Sequence, residues 1–225
     1  MEKSLDRSSR NRLNERHLSL FPGDSLFDRI ARAVCRAGCL PRKELYEAWE
    51  VARRVHRRFR GGRVVDLASG HGLLAQILLL MDRDIPEALA VDRRIPDNAG
   101  LLAAQLQSDW PSLAGRMNFI QSDLEQVRLL PDDLVVSVHA CGGLTDLVLE
   151  RAMAAGCRVA VLPCCHDLRC ADAGGVQGWL DGPLAVDVTR AALLRSRGYR
   201  IYTQIIPDDI TPKNRLLMGE PGGVR

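Results

Sequence analysis

At 225 residues, 46% of them hydrophobic and 26% charged, the chain is long enough for one full α/β domain and short for two. No run approaches the ~20 apolar residues of a membrane span, and Met1–Arg16 lacks the apolar core of a signal peptide. Seven scattered cysteines, with no disulfide framework in their spacing, point to a reducing compartment, so a cytoplasmic protein is expected.

Met1 to His17 is polar and expected to be mobile. Leu26, Ile30 and Val34, with Phe27 and Ala31 beside them, predict an amphipathic helix that stops near Gly38. Pro41 opens a second helix, in which Leu45, Trp49, Ala52, Val55 and Phe59 recur at core spacing and leave Arg53, Arg54, Arg57 and Arg58 on or beside the outer face. Residues 1–60 thus read as a flexible N-terminus plus a basic helical cap on a main domain over 61–225. The net charge of +3 is uneven: residues 1–63 hold 16 Lys/Arg against 8 Asp/Glu, the remainder 15 against 20. A basic flank on a slightly acidic body favours RNA as a partner, with the exposed arginines lining its path. Arg-rich helices more often present a plain solvated face.

Val64–Leu67 is a short β-branched run bounded by Gly61-Gly62, the pattern of a strand buried on both faces. The chain turns through Ala68-Ser69-Gly70-His71-Gly72 into an apolar helical run, Leu73–Leu80. A glycine-rich turn between strand and helix lets a ligand reach the backbone N–H groups of the first helical turn. Gly70-x-Gly72-x-x-Ala75 fits a dinucleotide fingerprint. Asp66 followed by Ala68-x-Gly70-x-Gly72 resembles the first motif of class I S-adenosylmethionine (SAM) methyltransferases, with alanine in place of that motif's first glycine.

Next comes Ala88–Val91 and then Asp92, a strand ending in an acid suited to both hydroxyls of a ribose. SAM and NAD both carry such a ribose, and Arg93-Arg94 beside it favours a 2′-phosphate. A helix over about 96–109 leads to a third strand, Met117–Ile120, which ends at Asp123. An acid there resembles the methyltransferase residue that meets the adenine amino group; it equally suits an N-cap for a helix starting at Leu124. Leu134–Val138 runs into His139-Ala140-Cys141-Gly142-Gly143, a helix follows from Thr145-Asp146 to Gly156, and Arg158–Leu162 runs into Pro163-Cys164-Cys165-His166-Asp167. Residues 168–183 form a long Gly- and Asp-rich loop, as a lid or substrate loop would. A helix Val186–Arg197 and two strands, Tyr199–Ile206 and Arg215–Met218, close the chain. The short connection makes those strands antiparallel.

Three of the five histidines (His71, His139, His166) and three of the seven cysteines (Cys141, Cys164, Cys165) fall just past strand ends, where open α/β sheets bind ligands. His139-Ala140-Cys141-Gly142-Gly143-Leu144-Thr145-Asp146, followed by Leu162-Pro163-Cys164-Cys165-His166, resembles the acceptor-stem tRNA 2′-O-methyltransferases and related methyltransferase-like proteins over about residues 63–218. Those tRNA enzymes have a second histidine where this chain has Asp167, and zinc-binding segments that this chain lacks. The resemblance implies a Rossmann-like class I methyltransferase: a seven-stranded, mostly parallel sheet, a C-terminal antiparallel hairpin and SAM as cofactor. It places Asp66, Ala68, Gly70, His71, Gly72, Asp92, Arg93, Asp123, Leu124 and His139 around that cofactor. For a ribose hydroxyl the base candidates are His166, the first choice, and His139, with Asp167 available to orient a histidine. A thiolate at Cys165 or Cys164 would instead suit covalent attack on a pyrimidine. Zinc on His139, Cys141, Cys164, Cys165 or His166 is a further chemistry, but vicinal cysteines lack the usual spacer and no metal is assigned. The competing class is a nicotinamide-dependent oxidoreductase.

Overall fold

Four residues, Val64–Leu67, form β1, buried on both faces in the middle of a seven-stranded sheet. The computed structural model describes residues 6–223. Parallel neighbours flank β1: β2 (Ala88–Asp92) places Ala88 opposite Val64 on one side, and β4 (Leu134–Ser137) places Leu134 opposite Val64 on the other. β3 (Met117–Gln121) extends the parallel set beyond β2, and β5 (Arg158–Val161) extends it beyond β4. The final hairpin folds back so that β7 (Arg215–Pro221) lies antiparallel between β5 and the edge strand β6 (Tyr199–Ile205). The order is β3-β2-β1-β4-β5-β7-β6.

Successive residues of β1 serve opposite faces, as strand alternation requires. Val64 and Val136 pack under the helices α1 (Leu26–Ala37), α2 (Arg42–Arg58), α3 (Leu73–Met81) and α4 (Ala99–Asp109), through Ile30, Leu45, Val55, Leu74, Ile77 and Leu102. Val65, Leu67 and Val135 pack under α5 (Gly143–Ala155) and α6 (Gly182–Ser196), through Val148, Leu149 and Leu194. Each fully buried Leu or Ile contributes about 1.5–3 kcal/mol relative to exposure. The cap helices therefore share one core with the sheet. α3 is apolar all round because it lies between sheet and cap, with seven of its nine residues buried.

The polar N-terminus is held against the cap, the Lys43 N–H donating to the Ser9 carbonyl (3.0 Å) and the Arg42 N–H to the Asn11 carbonyl (3.0 Å). Leu13 is fully buried, its N–H donates to the Leu40 carbonyl (2.9 Å), and Arg12 bridges Pro41. Here the backbone finds partners in the α1–α2 connection, which composition does not report; residues 1–5 lie outside the described residues. Two sequence expectations change. α6 begins at Gly182, four residues before the expected Val186, because the Asp181 carboxylate caps the Leu184 N–H and Pro183 fits the first turn. The helix expected at Leu124 is a single 3-10 turn, Leu124–Gln126, and Asp123 makes no side-chain cap there. Among the described residues no helix is long and apolar enough to cross a membrane.

Candidate functional site

At the carboxyl end of β1 the backbone turns left-handed three times, at Ala68 (φ 57°), Gly70 (53°) and Gly72 (67°). Ala68 holds a conformation that costs an L-residue roughly 1–2 kcal/mol, so the loop stores strain where glycine would hold none. The two glycines differ in purpose. A Cβ on Gly72 would fall 2.8 Å from Met117 Cε and 3.0 Å from Ala90 Cβ, so Gly72 lets α3 lie close on the sheet. A Cβ on Gly70 would meet only His139 Cδ2, at 4.0 Å. Gly70 is thus the point where a ligand can reach the backbone. His71 pairs its Nε2 with Asn98 Oδ1 (2.9 Å) at the start of α4, and burial lowers its pKa.

Asp92, half-buried at the end of β2, accepts from the Gly70 N–H (3.0 Å) and the Arg94 N–H (3.1 Å). It therefore ties the β2 end to the glycine loop and keeps lone pairs free. Asp123 and Arg93 meet each other at 2.8 Å across the β3 and β2 ends, both exposed. Arg93 is thus engaged with a carboxylate, which weakens it as a phosphate ligand. Leu124 sits in the core, the whole residue 2% exposed. Asp66 is buried beneath the loop, and neither carboxylate oxygen has a partner in hydrogen-bond geometry. Burial drives its pKa up to about 8, opposed in part by the Ala75 N–H and aided by the Asp92 charge. Ser69 Oγ is likewise buried without a partner. Two orphaned polar groups under one loop mark a place where a polar ligand fits.

A narrow crevice opens here between the glycine loop and α2. It is lined by Ser69, His71 and His139 on the sheet side and by Leu40, Glu44 and Ala48 on the cap side. No local pattern in the chain marks Leu40, Glu44 and Ala48 for this role. Burial pushes His139 down to about 4, with Lys43 and His71 adding to the effect and Asp92 opposing it. The ring is therefore neutral at pH 7 and a weaker base than a solvated imidazole.

His166 has different surroundings. Its side chain is 1% exposed, and Nε2 donates to Asp187 Oδ1 on α6 (2.7 Å), while Nδ1 is buried without a partner. Asp187 also takes Arg215 Nε (2.6 Å) and lies 3.5 Å from Arg190, which pairs with Asp146. The orienting carboxylate is thus Asp187, not the expected Asp167, which pairs with Arg169 because adjacent side chains diverge. Only the Asp187/Arg190 spacing on one helix hinted at this network. It fastens the turn after β5 to α6 and β7. Beyond it lies an apolar groove of about 560 Å³ lined by Leu184, Val188, Ala191, Ile205 and Leu217.

The three cysteines do converge: Cys141, Cys164 and Cys165 bring their Sγ atoms within 4.8 Å of one another. Nothing there favours a thiolate at Cys164, whose pKa is pushed up by burial and by Cys141. Three of the four α2 arginines are engaged away from the site. Arg54 pairs with Glu50 and reaches the Ile205 carbonyl, Arg58 lies over the Tyr202 ring and pairs with Glu220, and Arg53 pairs with Glu50. They occupy the last turns of α2, whereas its first turns face the crevice. The cations near the crevice are Lys43 and Arg12, close enough to depress His139 and His71.

Parallel strands carrying a glycine loop and an acid after β1 and β2, closed by an antiparallel β7 between β5 and β6, define a Rossmann-like methyltransferase fold. A family model described as a methyltransferase domain matches residues 42–170, more than half of the chain. The chain belongs to that family and carries a methyltransferase domain. Among curated proteins, the mouse glutathione S-transferase C-terminal domain-containing protein is 27% identical over 197 residues, covering 72% of this chain and 30% of its own length. The chain thus spans about a third of the curated relatives it matches. An O-methyltransferase family protein from Burkholderia thailandensis shares the fold at TM-score 0.54 and 19% identity, covering 96% of this chain and 66% of that one. The tRNA methyltransferase TrmK from Bacillus subtilis does so at 0.50 and 18%, covering 76% and 65%.

The residues present fit SAM. Asp92 can accept from ribose hydroxyls, Gly70 leaves the backbone approachable, and the orphaned Asp66 and Ser69 offer acceptors beneath the loop. The Gly70 loop and Asp92, expected around the cofactor, lie together, whereas Leu124 is buried in the core.

Proposed function

We propose that the protein methylates RNA, with a tRNA ribose 2′-hydroxyl as the acceptor. Support comes from the His139-to-Asp146 and Leu162-to-His166 turns, from the basic N-terminal region, and above all from His139, a neutral histidine lining the crevice against Gly70. Bound SAM supplies an electrophilic methyl group. The chain's own residues have three tasks: the glycine loop and Asp92 hold the cofactor, α2 and the crevice walls exclude water, and a histidine takes the hydroxyl proton.

His139 is assigned that last task. His166 has the base-and-orienter arrangement with Asp187, but its ring is enclosed, so it acts as a positioning residue for the turn after β5. Arg12, together with Lys43 beside its partner Glu47, lies nearer the crevice than the α2 arginines and leads phosphates toward it. The test is transfer of labelled methyl from SAM into fractionated cell RNA, protein and small molecules. Label in the tRNA fraction that survives base removal and protects one phosphodiester from alkali supports the reading. Label confined to protein or small molecules refutes it.

A further inference from the structure

The turns after β4 and β5 bring together three thiols that no step above uses. Cys141 Sγ and Cys164 Sγ are 2.7 Å apart, and Cys165 Sγ completes a triangle within 4.8 Å. The turns that carry them are fixed. The Gly142 N–H donates to the Cys165 carbonyl (3.2 Å), the Thr145 hydroxyl donates to the Ala140 carbonyl (2.7 Å), and Arg190, paired with Asp146, reaches the Gly142 carbonyl (3.3 Å). Cys141 and Cys165 are exposed and Cys164 is half-buried, so an ion has a path from solvent.

The donor set is all sulfur. No carboxylate belongs to the cluster, and His166 gives its Nε2 to Asp187. Three sulfurs select a thiophilic cation over magnesium or calcium. Around tetrahedral zinc, with Zn–S near 2.3 Å, sulfurs stand about 3.8 Å apart. The triangle meets that spacing if the Cys141–Cys164 pair opens by about 1 Å, within side-chain rotation. Adjacent cysteines lack the spacer that lets one turn wrap a metal, but here the third ligand comes from the neighbouring strand end.

We propose that Cys141, Cys164 and Cys165 bind one zinc ion as thiolates and leave its fourth position open to solvent. Three S–H bonds give way to three S–Zn bonds, and the three protons pass to buffer. Three protein ligands with an open position are the pattern of reactive rather than structural zinc.

The full chain, kept reduced with a non-thiol reductant, is loaded with zinc or cobalt(II), dialysed and analysed by elemental mass spectrometry and absorption. The expected result is one retained equivalent, with cobalt showing thiolate charge-transfer bands and the ligand-field bands of a four-coordinate site. Cys141→Ser, Cys164→Ser and Cys165→Ser should each weaken zinc binding at least about tenfold, while Cys170→Ser, outside the cluster, leaves it unchanged. Circular dichroism checks that each variant folds. Retention far below one equivalent by the reduced wild-type chain, cobalt without thiolate bands, or undiminished metal in a folded triple variant overturns the proposal. The cobalt spectrum decides even if a variant fails to fold.

Discussion

The buried carboxyl of Asp66 has a consequence for stability that can be measured without any substrate. Its pKa rises from the ordinary 3.8 to about 8 because burial removes water, an effect the Ala75 N–H offsets only in part and the Asp92 charge reinforces. Below 3.8 both folded and unfolded chains hold the proton; between the two values only the folded chain does; above about 8 neither does. Folding therefore takes up a proton within that window, and stability falls as pH rises, by up to about 1.4 kcal/mol per pH unit. His139 works in the opposite sense but elsewhere. Its pKa, depressed from 6.5 to about 4, makes stability rise with pH only up to 6.5. From about pH 6.5 to about pH 8 the Asp66 contribution is about 1–2 kcal/mol, set against the fading opposite effect of His56, His71 and His139, which the Asp66→Asn comparison cancels. Asp66→Asn keeps the shape and removes the proton. Urea midpoints at both ends of that range should show the wild-type chain losing this stability and the variant keeping it. Equal pH dependence in the two proteins would refute a neutral, orphaned Asp66.

Other outcomes follow from the same loop and its surroundings. Ala68→Gly relieves roughly 1–2 kcal/mol of left-handed strain but adds about 0.4–1 kcal/mol of unfolded-state entropy; thermal melting should show a variant as stable as wild type or up to about 1.6 kcal/mol more so. His139→Ala should lower single-turnover methyl transfer by ~10²–10⁴ with the fold intact. His166→Ala should cost about 1–3 kcal/mol in a urea melt, since it leaves Asp187 short of a buried partner, and His166→Gln should restore part of that stability. Replacing Arg12 and Lys43 with Gln should weaken RNA binding and flatten its salt dependence, whereas Arg53 and Arg57 replacements should change neither.

The sheet was legible because its strands announce themselves. Val64–Leu67, Ala88–Asp92 and Leu134–Ser137 are short β-branched or apolar runs buried on both faces, and their boundaries follow from the glycines and acids that end them. The cofactor half of the site was legible for the same reason: loop, strand end and acid are adjacent in sequence. Three things were not. Asp187 reaches His166 across 21 residues and a long loop, so no local pattern marks it as the orienting group. The fate of the α2 arginines depends on β6 and β7, more than 140 residues further on, which supply Ile205, Tyr202 and Glu220 as their partners. The third thiol of the cysteine cluster comes from a neighbouring strand end, and only strand pairing puts it there.

The account depends most on SAM lying against Gly70 with its ribose at Asp92, and calorimetric titration tests that directly. The wild-type chain should bind SAM and show no heat with NADP or NAD. Asp92→Ala removes acceptors from charge-assisted hydrogen bonds worth about 1.5–3 kcal/mol each, so SAM affinity should fall about tenfold or more with the fold retained. Unchanged SAM affinity in Asp92→Ala, or binding of a nicotinamide cofactor in place of SAM, would contradict the assignment.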